Sequence, residues 1–112
     1  MVPEIEPTEL SRALASVVDA PILVDVREPE EHELCSIKPS ILIPLMQLPD
    51  RLAEIRKLSG EGTREIVVYC RSGQRSALAI QFLFTQSVEN LRNLRGGINA
   101  YAREADPTIT PY

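Results

Sequence analysis

A buried strand leads directly into a small polar loop in Glu65-Ile66-Val67-Val68-Tyr69-Cys70-Arg71-Ser72-Gly73-Gln74-Arg75-Ser76. Three consecutive β-branched residues followed by an aromatic residue favour a strand that is covered on both faces. Residues 77–86 are mostly apolar and favour a helix. This order of strand, loop and helix predicts part of a parallel α/β unit.

The same alternation extends through the rest of the chain. Further strands are predicted over residues 2–6, 22–26, 41–43 and 91–94. Thr8 is predicted to cap a first helix, which carries Leu10, Ala13, Leu14, Val17 and Val18 on one face. Further helices are predicted to start at Pro29, to cover Leu48–Leu58, and to run from Gly97 to about Arg103. We therefore expect an α/β fold with a central parallel sheet of about five strands and helices on both faces.

The bulk properties limit the possible functions. A chain of 112 residues, 44% hydrophobic and 25% charged, has the size and composition of one globular domain. Its net charge of −4 disfavours a nucleic-acid binder. Two cysteines without a CxxC pair, no apolar run of ~20 residues and no signal-peptide pattern predict a reduced, cytoplasmic protein without a membrane span. One histidine disfavours a zinc site, and we expect no metal or cofactor.

The loop after the strand has the composition of an anion-binding nest. Ligands of open α/β sheets bind beyond the carboxyl ends of the strands, which is where Cys70 lies. Gly73 permits a positive φ, so the loop can turn its N–H groups inward, and the following helix adds its positive end. Two arginines and two serines add charge and hydroxyl groups. Such a setting favours the thiolate of Cys70 and stabilises a second anion beside it.

Three segments resemble the rhodanese family, in an alignment from about Ile5 to Tyr101. Leu23–Glu31 is similar to the first family motif and Val68–Ser76 to the active-site loop. Leu94–Tyr101 is similar to the closing motif, with Tyr101 where a Trp is usual. The resemblance implies a single rhodanese domain over residues 1–106, and Pro107 and Pro111 predict an irregular tail over residues 107–112.

The resemblance also implies a sulfurtransferase mechanism. Cys70 would take sulfur from a sulfane donor, such as thiosulfate or a cysteine desulfurase, and carry it as a persulfide to a nucleophilic acceptor. Arg75 would help to bind an anionic donor, and Arg71 has a weaker claim to that role. The expected site residues are Cys70 as the nucleophile and Arg71, Ser72, Gly73, Gln74, Arg75 and Ser76 as the anion-binding loop.

Two segments resemble one subgroup of that family. Glu33–Leu45 and Asp106–Tyr112 are similar to rhodanese domains that follow ubiquitin-activating-like adenylyltransferases. This resemblance implies a ubiquitin-like sulfur-carrier protein as the acceptor, in molybdenum cofactor biosynthesis or tRNA thiolation. It also implies an adenylation domain upstream in a full-length protein.

Two other functions compete with this interpretation. A dual-specificity phosphatase also uses a strand, a cysteine and an arginine, but it places five residues between them, whereas four separate Cys70 from Arg75. The shorter loop suits one sulfur atom better than a phosphate group. A non-catalytic docking module is the second alternative, because a fold does not fix a function.

The remaining polar candidates favour structural roles. Asp25 and Arg27 lie two residues apart at a strand end, so they face the same side and can support the site as an ion pair. Cys35 lacks a glycine-rich loop and an adjacent arginine, which predicts a buried structural thiol. His32 lies among glutamates and is expected at the surface rather than as a catalytic base.

Overall fold

The computed structural model describes residues 2–112 and contains one parallel sheet of five strands. The strands are β1 (Glu4–Ile5), β2 (Ile22–Asp25), β3 (Ile41–Leu42), β4 (Ile66–Tyr69) and β5 (Leu91–Leu94). Their order across the sheet is β1-β5-β4-β2-β3, and every pair is parallel. β4 lies in the centre, as its uninterrupted apolar sequence predicts.

Helices join the strands. They are α1 (Pro7–Leu14), α2 (Pro29–Leu34), α3 (Leu52–Ser59), α4 (Gln74–Thr85) and α5 (Gly97–Glu104), with a 3₁₀ helix over Leu45–Arg51 before α3. α2 starts at Pro29, and its first turn has a capping box between Glu28 and Glu31. Gly60 caps the C-terminus of α3, and its φ of 54° lies in the left-handed region that is common at helix C-termini.

The two faces of the sheet bury separate cores. Alternate residues of one strand point to opposite faces, so Val67 and Val68 belong to different clusters. Val68 packs with Ile55 of α3 and Ile80 of α4, whereas Val67 packs with Leu10 of α1 and Ile98 of α5. Helices therefore cover both faces, and the expected α/β architecture is confirmed.

The first helix differs from the prediction at both ends. It begins at Pro7 with Glu6 as its N-cap, so the predicted cap at Thr8 is wrong. It ends at Leu14, and Val17 and Val18 lie in the following turn with 98% and 86% of their surface exposed. Of the predicted apolar face, Leu10 is fully buried. Val17 and Val18 lie beyond the end of the helix and do not reach the core.

The carboxyl edge of the sheet gathers the segments predicted to carry chemistry. Asp25, Tyr69 and Leu94 end three adjacent strands there. The segment after α5, residues 105–112, contains no helix or strand and packs Ile109 and Tyr112 against the α1–α5 side of the core. Within residues 2–112, no helix is long and apolar enough to cross a membrane.

Candidate active site around Cys70

The sulfur of Cys70 lies inside the turn that joins β4 to α4. The residue is 1% exposed, and three groups surround its Sγ atom. The backbone N–H of Gly73 donates to Sγ at 3.1 Å, the N–H of Ser76 does so at 3.4 Å, and the Ser76 hydroxyl lies at 3.3 Å. Gly73 has a φ of 104°, which lets the loop turn this tightly. The positive end of a 12-residue helix therefore faces the sulfur.

Asn93 of β5 supports this loop from the neighbouring strand. Its Nδ2 donates to the carbonyl oxygen of Gly73 at 3.0 Å, which fixes the orientation of the amide. Its Oδ1 accepts the hydroxyl proton of Ser76 at 2.5 Å. Asn93 is 3% exposed, so both hydrogen bonds are shielded from water. The side chain therefore holds both residues that contact the sulfur.

The N-terminus of α5 supports the loop from the other side. The N–H of Ile98 donates to the carbonyl oxygen of Cys70 at 2.9 Å, and that of Asn99 donates to the carbonyl oxygen of Arg71 at 3.2 Å. Gly97, with a φ of 65°, makes this approach possible. A Cβ atom at Gly97 would lie 2.3 Å from the Arg71 oxygen and 2.6 Å from the Cys70 oxygen. Only glycine fits between the two backbones.

Arg75 forms an ion pair with Glu31 of α2. Its Nη1 and Nη2 donate to the two carboxylate oxygens of Glu31, both at 2.8 Å. This bidentate pair lowers the pKa of Glu31 to about 2 and raises the pKa of Arg75. The positive charge of Arg75 is thus already compensated, and its expected role in donor binding stays a prediction.

The other loop residues lie at the surface. Arg71, Ser72 and Gln74 are exposed. The Arg71 guanidinium lies over the ring of Tyr112, 5.0 Å from its centroid. Among residues 2–112, Arg71 is in no ion pair with a carboxylate. The loop that contains Cys70 therefore carries one exposed cation without a carboxylate partner among residues 2–112.

A buried ion pair underlies the edge of the site. Asp25 and Arg27 are fully buried, and the Asp25 oxygens accept from Arg27 Nε at 2.9 Å and from Nη2 at 2.8 Å. Nη2 also donates to the carbonyl oxygen of Cys35 at 2.6 Å, and Nη1 donates to the Tyr112 hydroxyl at 2.8 Å. Burial alone would lower the pKa of Arg27, but its hydrogen bonds to Asp25 and Tyr112 raise it overall, so the guanidinium stays charged.

Cys35 and His32 both differ from their expected placement. Cys35 is half-buried rather than buried, and it lines a cleft of about 690 Å³ between residues 32–38 and residues 108–112. Cys70 is not among the residues that line this cleft. His32 is half-buried, with its Nδ1 atom 2.8 Å from Asp25 Oδ2, so it extends the buried ion pair instead of standing free at the surface.

Four residues of the site were not predicted from the sequence: Glu31, Asn93, Asn99 and Tyr112. Each reaches the loop from a segment remote in sequence, as Glu31 does across 44 positions to Arg75. Asn93 and Asn99 lie in the strand predicted over residues 91–94 and in the Leu94–Tyr101 motif, but neither segment indicates which loop groups the two side chains bind. Within residues 2–112, no group of three or more His, Cys, Asp or Glu side chains could hold a metal ion.

Comparison with known proteins agrees with this geometry. The family model described as Rhodanese-like domain matches residues 6–104. A sulfurtransferase of Allochromatium vinosum is 40% identical over 99% of this chain and 98% of its own length. The adenylyltransferase and sulfurtransferase MOCS3-2 of Zea mays is 34% identical over 90% of this chain, which spans only 21% of that protein.

Solved structures give the same assignment. The crystal structure of a rhodanese-related protein from Thermoplasma volcanium superposes with a TM-score of 0.77 and 29% identity, over 92% of this chain and 93% of that one. The resemblance seen in the sequence is thereby confirmed, and this five-stranded domain with Cys70 at the centre of its loop belongs to the rhodanese-like domain family.

Proposed function

We propose that this chain is a sulfurtransferase that carries sulfane sulfur as a persulfide on Cys70. The observation that carries the proposal is the pair of backbone N–H groups, of Gly73 and Ser76, that donate to Sγ at the N-terminus of α4. These groups favour an anionic sulfur without a separate general base. The named sulfurtransferase among the relatives supports the same reaction class.

The reaction with thiosulfate has two balanced steps. The Cys70 thiolate attacks the outer sulfur, the bond from that sulfur to the sulfonate group breaks, and sulfite leaves with the electron pair. The loop then holds the terminal sulfur of the persulfide. A nucleophilic acceptor attacks this terminal sulfur, and the Cys70 thiolate leaves with the electrons of the S–S bond. Each turnover therefore returns the cysteine to its starting state.

For the physiological acceptor, we propose the adenylated C-terminus of a ubiquitin-like sulfur-carrier protein. The terminal sulfur attacks the acyl carbon, and AMP leaves. A thiol then attacks Sγ, which releases the thiocarboxylate and leaves Cys70 in a mixed disulfide. A second thiol reduces that disulfide and regenerates the Cys70 thiol. Relatives named adenylyltransferase and sulfurtransferase support this proposal, and a cytoplasmic location fits it. In a longer protein, an upstream adenylation domain would supply the adenylated carrier.

Exposed apolar side chains near the carboxyl edge support a protein acceptor. Leu34 of α2, Met46 of the 3₁₀ helix and Leu78 of α4 are 66%, 83% and 56% exposed. Each lies within ten residues after the end of a strand, so all three belong to segments that leave the same edge of the sheet. We propose these three side chains as candidates for contact with the carrier protein, since a partner would bury them.

The phosphatase alternative is disfavoured by the ion pair of Arg75 with Glu31. A phosphate-binding loop needs its arginine turned toward the anion, whereas Arg75 pairs with both oxygens of Glu31. The docking-module alternative is disfavoured by the sulfur nest, because docking alone needs no activated thiol.

The test is a steady-state assay with thiosulfate as the donor and cyanide as the acceptor. Cys70→Ser should lower the rate by about a thousandfold or more, because the attacking atom is lost. Cys35→Ser is the matched control and should keep the rate. Hydrolysis of p-nitrophenyl phosphate that depends on Cys70, without sulfur transfer, would support the phosphatase instead. Full transfer by Cys70→Ser would contradict the mechanism.

A further inference from the structure

Tyr112 lies beside the active-site loop, although 42 positions separate it from Cys70. Its backbone is held by Asn99 of α5. Asn99 Nδ2 donates to the Tyr112 carbonyl oxygen at 2.8 Å, and the Tyr112 N–H donates to Asn99 Oδ1 at 3.0 Å. The N–H of the same Asn99 donates to the carbonyl oxygen of Arg71. One residue thus connects Tyr112 to the loop.

The hydroxyl of Tyr112 joins two ion pairs. It accepts a hydrogen bond from Arg27 Nη1 at 2.8 Å, since a guanidinium can only donate. Its own proton goes to Glu31 Oε1, also at 2.8 Å. Glu31 in turn holds Arg75 through both oxygens. The hydroxyl therefore connects the buried pair Asp25–Arg27 to the surface pair Glu31–Arg75.

The ring of Tyr112 supports the other arginine of the loop. The guanidinium of Arg71 lies 5.0 Å from the ring centroid, a distance at which a cation is attracted to the face of an aromatic ring. A residue exposed to solvent would otherwise sample many rotamers. With the ring beneath it, the charge of Arg71 stays near the loop that contains Cys70.

The two loop arginines thus have different electrostatic states. The charge of Arg75 is balanced by the carboxylate of Glu31. Arg71 is exposed and is not paired with a carboxylate of residues 2–112. An incoming anion would have to break a bidentate ion pair to use Arg75, but it can use Arg71 directly. The accessible positive charge at the site is that of Arg71.

We propose that Tyr112 is a positioning residue that holds Arg71 over its ring and sequesters Arg75 with Glu31, so that Arg71 binds the anionic group of small sulfur donors. This rests on the proposed sulfurtransferase function. With thiosulfate, the sulfonate oxygens would accept from Arg71 while the outer sulfur approaches Cys70. In this proposal Arg71 binds the anionic donor, a role that the family resemblance assigns to Arg75.

The test is a set of steady-state measurements with thiosulfate. Arg71→Gln should raise the KM for thiosulfate about tenfold, the loss of one charge-assisted hydrogen bond, with a smaller change in kcat. Arg75→Gln should raise it less. Tyr112→Leu removes the ring and should raise KM toward the value of Arg71→Gln. Tyr112→Phe keeps the ring and loses only the hydroxyl that binds Glu31, so it should raise KM clearly less than Tyr112→Leu. Thr110→Ala, in the same segment and exposed, is the control.

A double-mutant cycle separates positioning from a general structural role. If Tyr112 acts through Arg71, then Tyr112→Leu in the Arg71→Gln background should raise KM no further. Independent, multiplicative effects would overturn the proposal. If Tyr112→Leu does not fold, the proposal is tested by Arg71→Gln and Arg75→Gln alone. A larger rise in KM for Arg75→Gln than for Arg71→Gln would overturn the proposal.

The proposed function fails separately from this inference. Absence of sulfur transfer by the wild type would contradict the sulfurtransferase function itself. A wild type that transfers sulfur, with an unchanged KM in Arg71→Gln, would contradict only the role of Arg71 and Tyr112.

Discussion

The two cysteines of this domain lie at opposite ends of helices. Cys70 faces the N-terminus of α4, where two backbone N–H groups and a hydroxyl surround its sulfur. Cys35 is the C-cap residue of α2, at the negative end of that helix, and its carbonyl oxygen is bound by Arg27. Cys70 is 1% exposed, whereas Cys35 is half-buried and lines a cleft.

Cys70 is distinguished from Cys35 as the candidate nucleophile by the groups around its sulfur and not by its exposure to solvent. N–H donors and a positive helix end stabilise an anion on the Cys70 sulfur. The Cys35 sulfur lies at a helix C-terminus, and its one polar contact in the described residues is the long one of 4.0 Å to Arg27 Nη1. The two sulfurs also belong to opposite faces of the sheet, since Cys70 packs in the α3–α4 core and Cys35 packs against the α1–α5 core. Reactivity should therefore follow the Cys70 loop and be insensitive to Cys35.

After loss of the Cys70 thiol itself, Gly97→Ala should have the largest effect, because it disrupts the loop that surrounds the Cys70 sulfur. The new Cβ would clash with the Arg71 and Cys70 carbonyl oxygens, and φ is 65°. We expect a loss of about 2 kcal/mol in the free energy of unfolding and about a hundredfold in sulfur transfer. Denaturant titration and the thiosulfate assay measure the two effects.

Gly62→Ala is the matched control for backbone strain. Gly62 also has a positive φ, 88°, but the nearest atom to its Cβ would be 3.9 Å away, in Glu89. We expect a loss of about 1 kcal/mol in stability and unchanged transfer by the folded protein. Equal losses of activity in the two variants would show that the close approach at Gly97 is not specific to the site.

Ser76→Ala should make Cys70 behave more like Cys35. It removes the hydroxyl that lies 3.3 Å from the sulfur. It also removes the hydrogen bond from that hydroxyl to Asn93 Oδ1, which holds the loop against β5. We expect alkylation of Cys70 by iodoacetamide at neutral pH to slow about tenfold, because the Gly73 and Ser76 N–H groups are then held less firmly toward the sulfur. Peptide mapping by mass spectrometry measures the rate at each cysteine separately.

Ser59→Ala provides a control for loss of a buried hydroxyl. Ser59 is 3% exposed and donates to the carbonyl oxygen of Arg56, in α3. It should lose stability to a similar extent but leave the alkylation rate of Cys70 unchanged. A slower rate in Ser59→Ala as well would mean that the Ser76 effect is general loosening of the fold.

Glu31→Gln tests the ion pair that connects α2, which carries Cys35, to the loop of Cys70. The pKa of Glu31 is lowered to about 2 by Arg75, so the pair stabilises the folded state above pH ~4.5, and this stabilisation is lost as the pH falls toward 2. Arg75 is 36% exposed, so screening limits the contribution to ~1 kcal/mol.

The measurement is the free energy of unfolding against pH for the wild type and Glu31→Gln. The difference between the two should be constant above pH ~5 and should shrink steadily between pH 4.5 and 2. Asp50 is exposed, outside every ion pair of residues 2–112, so Asp50→Asn is the control. A Glu31→Gln difference independent of pH would contradict the assignment.

Cys35→Ser should have the smallest effect. The Cys35 sulfur lies 4.0 Å from Arg27 Nη1, and the stronger contact, from Nη2 to the Cys35 carbonyl oxygen, involves the backbone and survives the exchange. We expect sulfur transfer to change by less than about twofold and stability by less than ~1 kcal/mol. Loss of transfer in a folded Cys35→Ser protein would give the second thiol a part in the reaction.

The sequence predicts those parts of the fold that depend on the pattern of neighbouring residues along the chain. The apolar run of β4 and the change of pattern at Cys70 specify the strand, the turn and the start of α4 within a few residues. Helix ends are less well determined, because Thr8 and Glu6 can both precede a helix, and Pro7 favours the earlier start.

The partners of the loop depend on contacts that the local pattern does not contain. Ser76 meets Asn93 across 17 positions, and Glu31 meets Tyr112 across 81. Polar residues of this kind have many possible partners in the sequence, and only the arrangement β5-β4-β2 brings these to one edge. Arg75 pairs with Glu31, which is 44 positions away, so its position in the family motif alone could not predict this ion pair.

The most direct test of the account is to locate the transferred sulfur. The wild type and the Cys70→Ala and Cys35→Ala variants are incubated with thiosulfate, freed of excess donor, and analysed by intact-mass and peptide mass spectrometry. We predict a gain of one sulfur atom on the peptide that contains Cys70, in the wild type and in Cys35→Ala, which a small thiol removes. A sulfur atom found on Cys35, or no stable gain on Cys70 in a protein that transfers sulfur, would contradict the account.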